Sequence, residues 1–142
     1  MDGRGLLATL NLGAHLAQMG TAFIVCKECT VNSVYKKAIL EGSEDTTVLT
    51  KTISGRPARA IQNQLVKILS EHLDTIPDYP IQHYLTQIIR QEASKVGDKE
   101  FMSLYTGQGL RLAKKCDKSA AQLIVDIVTE AEQILKSYNV KH

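Results

Sequence analysis

The feature that most constrains this chain is a run from Gly5 to Cys26 that contains no Asp, Glu, Lys or Arg. Within it, Ala14 to Met19 is apolar on both faces apart from His15 and Gln18, the pattern of a strand buried in a parallel sheet. Such a strand needs hydrogen-bonding neighbours on both edges. The rest of the chain offers one other extended candidate, the β-branched Thr46 to Ile53, whose threonines do not suit a second sheet centre. The run therefore reads as the end of a larger α/β fold.

The run is a poor membrane span or secretory leader. Asn11, His15 and Gln18 interrupt it, as do Gly13 and Gly20, and no convincing small-residue cleavage site follows. Around it, Leu6, Leu7 and Leu10 predict a helix over 4–12 that stops at Gly13. After the strand, Gly20-Thr21 leads into an apparent helix. That grammar offers a phosphate unobstructed amides, a hydroxyl and the positive end of a helix. A Gly-Thr turn without a ligand has the same spelling.

Beyond Cys29 the chain reads as mainly helical. Asn32 or Ser33 caps a helix ending at Gly42, and Thr46 to Ile53 is extended. "SGRP" looks like a helix entry with Pro57 in the first turn, followed by a stripe of Ile61, Leu65, Ile68, Leu69 and Leu73. Asp74 to Pro80 breaks it. A further stripe, Tyr84, Leu85, Ile88 and Ile89, runs from Ile81 to about Gly97. "YTGQGL" leads to a short helix ending near Cys116, and a last helix from about Ser119 repeats Leu123, Ile127, Ala131, Ile134 and Tyr138. The 142 residues make one partial domain: 1–30 hold a helix, a strand and the phosphate turn, and 31–142 form a helical region.

Charge and chemistry exclude several functions. A net charge of +2, well mixed, gives no electrostatic case for nucleic acid or an anionic membrane, and with no Trp and only two Phe a base-stacking platform is not expected. Cys26, Cys29 and Cys116 form no disulfide framework, which favours a reducing, cytoplasmic setting. "CKEC" lacks the second ligand pair that zinc requires, and His15, His72, His83 and His142 have no metal-binding spacing. Arg56 and Arg59 could clamp an anion one helical turn apart, although a solvated or salt-bridged helix start explains them better. "GQG", Gly107 to Gly109, suggests a close backbone approach to a ligand or a helix.

Several segments in register carry a resemblance: "DGRGLLATLNLGAHLAQMGTAFIVCKEC", "YKKAIL", "TVLTKTISGRPAR", "YPIQHYLT" and "LYTGQGL". Across nearly the whole chain they resemble the C-terminal end of nitronate monooxygenases, formerly 2-nitropropane dioxygenases. The resemblance implies the C-terminal fragment of an FMN-dependent (β/α)8 barrel. In it, 4–12 would be the seventh barrel helix and Ala14 to Met19 the eighth strand. Gln18, Met19, Gly20 and Thr21 match the family's "QMGT", whose backbone and threonine hydroxyl hold the FMN phosphate.

By the same resemblance, the first seven strands, the flavin-ring contacts and the catalytic histidine have no counterpart here. Met1 stands where the family has an aliphatic residue, as a start assigned inside a longer gene would look. The implied partners are a small nitronate substrate in the complete enzyme, and either self-association or pairing with the missing barrel portion. A flavin enoyl reductase tail and a non-catalytic helical interaction module are the alternatives.

Overall fold

The structure, a computed structural model, describes residues 2–113 and 118–139. Its first helix, α1, spans Gly3–Asn11. Asp2 caps it: the carboxylate accepts the Gly5 amide at 3.0 Å and pairs with Arg4 at 2.7 Å. At the other end Gly13 takes φ +91°, a left-handed conformation that stops the helix at little cost. Its amide reaches the Leu10 carbonyl at 2.9 Å and the Ala14 amide reaches Thr9 at 3.2 Å.

The last helix, α6 (Ala120–Asn139), packs directly against α1. Gly3 makes the approach possible. A Cβ there would lie 2.6 Å from the Ala131 nitrogen and 2.7 Å from the Ile127 carbonyl oxygen. The Gly3 amide also donates to the Glu130 carboxylate at 2.7 Å, and Ile127 and Ala131 are buried.

The segment after Gly13 is a correction to the sequence reading. Ala14 to Met19 is neither a strand nor buried; it makes no sheet pairing, and Leu16 is 87% exposed. The cause is the one its composition announces. A strand apolar on both faces needs a neighbour on each edge, and none of the described residues supplies one.

Between α2 (Thr21–Ile24) and α6 the chain makes a long excursion. Helix α3 (Ser33–Glu41) is capped by Asn32, whose Oδ1 accepts the Val34 amide and whose Nδ2 donates to the Ser94 carbonyl. Its Ile39 forms a small core with Val25, Leu110 and Ala113. Strands β1 (Thr47–Thr50) and β2 (Ala58–Ile61) then pair antiparallel, with Thr47 opposite Ile61 and Thr50 opposite Ala58. "SGRPAR" is therefore a hairpin turn and strand, not a helix entry. Gly55 turns with φ +85°, and its missing Cβ admits the Tyr79 nitrogen, which would lie 2.5 Å away. Pro57 sits just before β2, where its lack of an N–H costs no ladder bond. The hairpin core is Ile53, Ala60 and Val66.

Helix α4 is shorter than the stripe predicted, Gln64–Ser70, because Asn63 caps it only after β2 has ended. Asn63 also donates to the carbonyls of Lys99 and Met102, fixing the later loop. Helix α5 (Ile81–Val96) begins and ends where the sequence places it, with Gly97 at φ +72° closing it. Its faces, however, are reversed. Gln82 and Thr86 are buried and donate to the carbonyls of Thr52 (2.5 Å) and Ile53 (2.7 Å). Tyr84, Leu85, Ile88 and Ile89 face outward. The hairpin leaves those carbonyls needing donors, so the polar side of α5 turns inward. Its apolar side is left without a partner.

Tyr105 forms an isolated bridge to Ala60 beside β2, and a 3-10 turn at Leu110–Leu112 follows. The expected helix end at Cys116 lies outside the described residues. Among the described residues no helix is long and apolar enough to cross a membrane.

Candidate functional site

The turn from Gln18 to Thr21 lies between the start of α1 and the segment around Gly107. Gln18, Met19, Gly20 and Thr21 line a concavity together with Gly5, Ala22, Gly107, Gly109 and Leu112. The four predicted residues are thus contiguous and face one space. At Gly20 an added Cβ would meet nothing within 4 Å, so open volume stands in front of its backbone. Among the described residues, the amides of Gln18, Met19, Gly20 and Thr21 have no acceptor.

Thr21 is the residue whose side chain is engaged. Its Oγ1 accepts the Gly107 amide at 2.8 Å and lies 3.4 Å from the Thr106 hydroxyl. Thr106 in turn is held by the hairpin, its amide donating to the Arg59 carbonyl at 3.1 Å. Tyr105 is anchored by Tyr35, whose hydroxyl donates to the Tyr105 carbonyl. Burial pushes the Tyr35 phenol up to about 12, with Tyr105 and Cys29 adding to the effect. A chain of backbone and side-chain bonds therefore runs from α3 and the hairpin to Thr21. "GQG" stood out in sequence as a close backbone approach, and the structure shows that part of its target is Thr21. The involvement of Thr106 was missed, since nothing local marks a contact 85 residues away.

Other candidates do not converge here. Arg56 lies over the Tyr79 ring at 4.7 Å, and Arg59 donates to the Thr47 hydroxyl, so the two form no anion clamp. Cys26 is buried, its thiol directed at the Ala22 carbonyl at 3.6 Å, and Cys29 is half-buried. Cys116 and His142 fall outside the described residues. His15 and His72 are exposed, whereas His83 is half-buried beside Tyr79, Tyr84 and Arg90. Burial lowers the affinity of the Arg90 guanidinium for its proton; its donors are met by Thr86, Ser103 and His83. None of these groups lines the concavity, whose described walls carry no titratable side chain.

A concavity lined by residues with unpaired amides and a hydroxyl has the donors to suit an anion, and without an acid or base it cannot by itself move protons. Comparison with known proteins sharpens this. A family model described as nitronate monooxygenase matches residues 1–130. A probable nitronate monooxygenase of Staphylococcus saprophyticus is 44% identical over 135 residues, 95% of this chain and 38% of that protein. One from Staphylococcus aureus (strain Newman) is 40% identical over 136 residues, again spanning 38% of its length.

Among solved structures, the chain is similar to a nitroalkane oxidase from Streptomyces ansochromogenes (TM-score 0.85, 34% identity, 97% of this chain and 39% of that one). It is also similar to FabK from Thermotoga maritima (TM-score 0.79, 31% identity, 99% and 44%). The chain thus spans well under half the length of each of these four proteins.

Proposed function

The chain belongs to the nitronate monooxygenase family, and from that premise we propose that it supplies the FMN-phosphate end of a flavin-dependent oxidoreductase acting on nitronates. The observation carrying this reading is the open, amide-lined space at Gly20 with the Thr21 hydroxyl on its rim. Those residues fit a phosphate: glycine leaves room for close approach, and unpaired amides and a hydroxyl are the donors a phosphate takes up. Gln18, Met19, Gly20 and Thr21 would hold it. When bound, FMN supplies two-electron redox chemistry, by which a nitronate and O2 give a carbonyl compound and nitrite.

What these residues do is bind and orient. No described side chain around the concavity can hold or move a proton, so acid–base catalysis would come from a part of the barrel that this chain does not contain. The unpaired Ala14 to Met19 segment fits the same account as a strand whose neighbours lie in that part. The chain alone is then catalytically silent, and its apolar surfaces favour pairing with a barrel portion or with another copy.

The test is direct. Purified chain is passed through gel filtration with excess FMN and assayed with a nitronate under air. No turnover is expected, and any FMN should be held too weakly for its colour to survive gel filtration; measurable turnover would refute the reading. For the complete protein, a nitronate assayed against an enoyl thioester with NAD(P)H separates this function from a flavin enoyl reductase.

A further inference from the structure

Thr21 carries more information than membership of a phosphate-binding turn. A hydroxyl has one proton to donate and two lone pairs to accept with. In this structure the Gly107 amide fills one lone pair at 2.8 Å, and the Thr106 hydroxyl lies 3.4 Å from the same oxygen. An amide N–H can only donate, so Thr21 cannot return its proton to Gly107. The Thr106 hydroxyl donates toward that oxygen and also reaches the Gly107 carbonyl at 3.2 Å, and among the described residues no group takes the Thr21 proton. It is left for whatever occupies the space beside Gly20.

We infer that Gly107 is a positioning residue, backed by Thr106: it occupies the acceptor side of Thr21 and commits the hydroxyl proton to a phosphate oxygen of the ligand. The inference rests on the phosphate reading above and adds a specific element to it. The excursion between α2 and α6 sets the orientation of the phosphate donor, although it is far away in sequence. The fit at Gly107 is close, since a Cβ there would lie 3.4 Å from Thr21 Oγ1. The loop itself is held from behind by the bonds of Thr106 to Arg59 and of Tyr35 to Tyr105. Without Gly107, the Thr21 hydroxyl is free to rotate and to face the phosphate with a lone pair, which repels it.

The test compares FMN with riboflavin, which lacks only the phosphate, in a titration of the isotope-labelled chain followed by amide chemical shifts. The wild-type chain is expected to bind FMN weakly, with shifts at Gly20 and Thr21, and to prefer it to riboflavin. Replacing the Gly107 amide by an ester deletes the N–H while keeping the backbone shape, and should reduce that preference by about tenfold. Thr21→Val should do the same, and Thr21→Ser should restore it. In Thr21→Val the Gly107 amide should also exchange with solvent at least about tenfold faster. Dispersed spectra from each variant show that the fold is kept, and a merely structural role would not change the FMN-to-riboflavin ratio.

If the wild-type chain prefers FMN and the Gly107 ester retains the full preference, the positioning role is overturned and the phosphate reading stands. If the wild-type chain shows no preference for FMN, the phosphate reading is overturned and this inference falls with it.

Discussion

Replacing Gly20 by alanine should separate the fold of this chain from its chemistry. Gly20 has φ −112° and ψ −63°, a conformation open to any L-residue, so alanine meets no backbone penalty of the kind reserved for positive φ. Its Cβ would meet nothing within 4 Å, so there is no clash to relieve. The unfolded chain loses some freedom, which favours the native state by about 0.4–1 kcal/mol. Gly20→Ala is therefore expected to leave stability unchanged or to raise it by up to about 1 kcal/mol. The same methyl group stands in the space assigned to a phosphate. It should hold the anion away from the amides and weaken FMN binding at least about tenfold, or roughly 1.4 kcal/mol. Urea unfolding of the chain measures the first effect, and flavin affinity in a complete barrel carrying the substitution measures the second. A loss of more than about 1 kcal/mol in stability would show that the space is not open. An unchanged FMN affinity in a folded variant would show that the phosphate lies elsewhere.

Three further outcomes follow from the packing. Gly3→Ala should cost about 2–4 kcal/mol in urea unfolding, since its methyl would lie within 2.7 Å of three atoms of α6; a neutral effect would mean that the helices do not meet there. Asp2→Ala should cost about 1 kcal/mol at neutral pH. Burial raises the Asp2 carboxyl, but the Gly5 amide and Arg4 outweigh that and hold it below its ordinary value. The stabilisation is thus present above the usual carboxylate range and is lost as pH falls through the lowered value, so wild type and variant should converge in acid. Tyr35→Phe should cost about 1 kcal/mol at pH 7 for the lost bond to Tyr105. Because the folded phenol is raised from 10 to about 12, wild type should lose a further ~3 kcal/mol as pH rises across that window. The variant should be spared that loss, and parallel alkaline unfolding curves would contradict the assignment.

Local signals in the sequence translated well. Gly13 and Gly97 end their helices because only the adjoining turn matters to a left-handed stop, and Asn32 caps α3 for a similarly local reason. Pro57 misled because its fixed φ suits both a first helical turn and the entry to an edge strand; the choice depends on Tyr79 packing against Gly55. On α5 the apolar stripe was visible, but its direction was not. The carbonyls of Thr52 and Ile53 decide it, and they come from another element. Ala14 to Met19 has the composition of a buried strand but forms none, since no described segment offers its backbone a sheet neighbour. In the site, Gln18 to Thr21 were legible through the family resemblance. The contacts of Thr21 with Gly107 and Thr106 were not, as hydrogen bonds between distant segments leave no periodic trace.

On the proposed reading, this chain holds the phosphate of FMN firmly only when joined to the other part of a barrel, since it spans 38% of its relative's length. The most direct measurement grafts it onto the remaining portion of the Staphylococcus saprophyticus relative, in place of the 38% that it matches. The chimera should purify yellow, release FMN on denaturation and oxidise a nitronate to nitrite, while the chain alone does neither. A chimera that folds as stably as the parent yet emerges colourless would contradict the account.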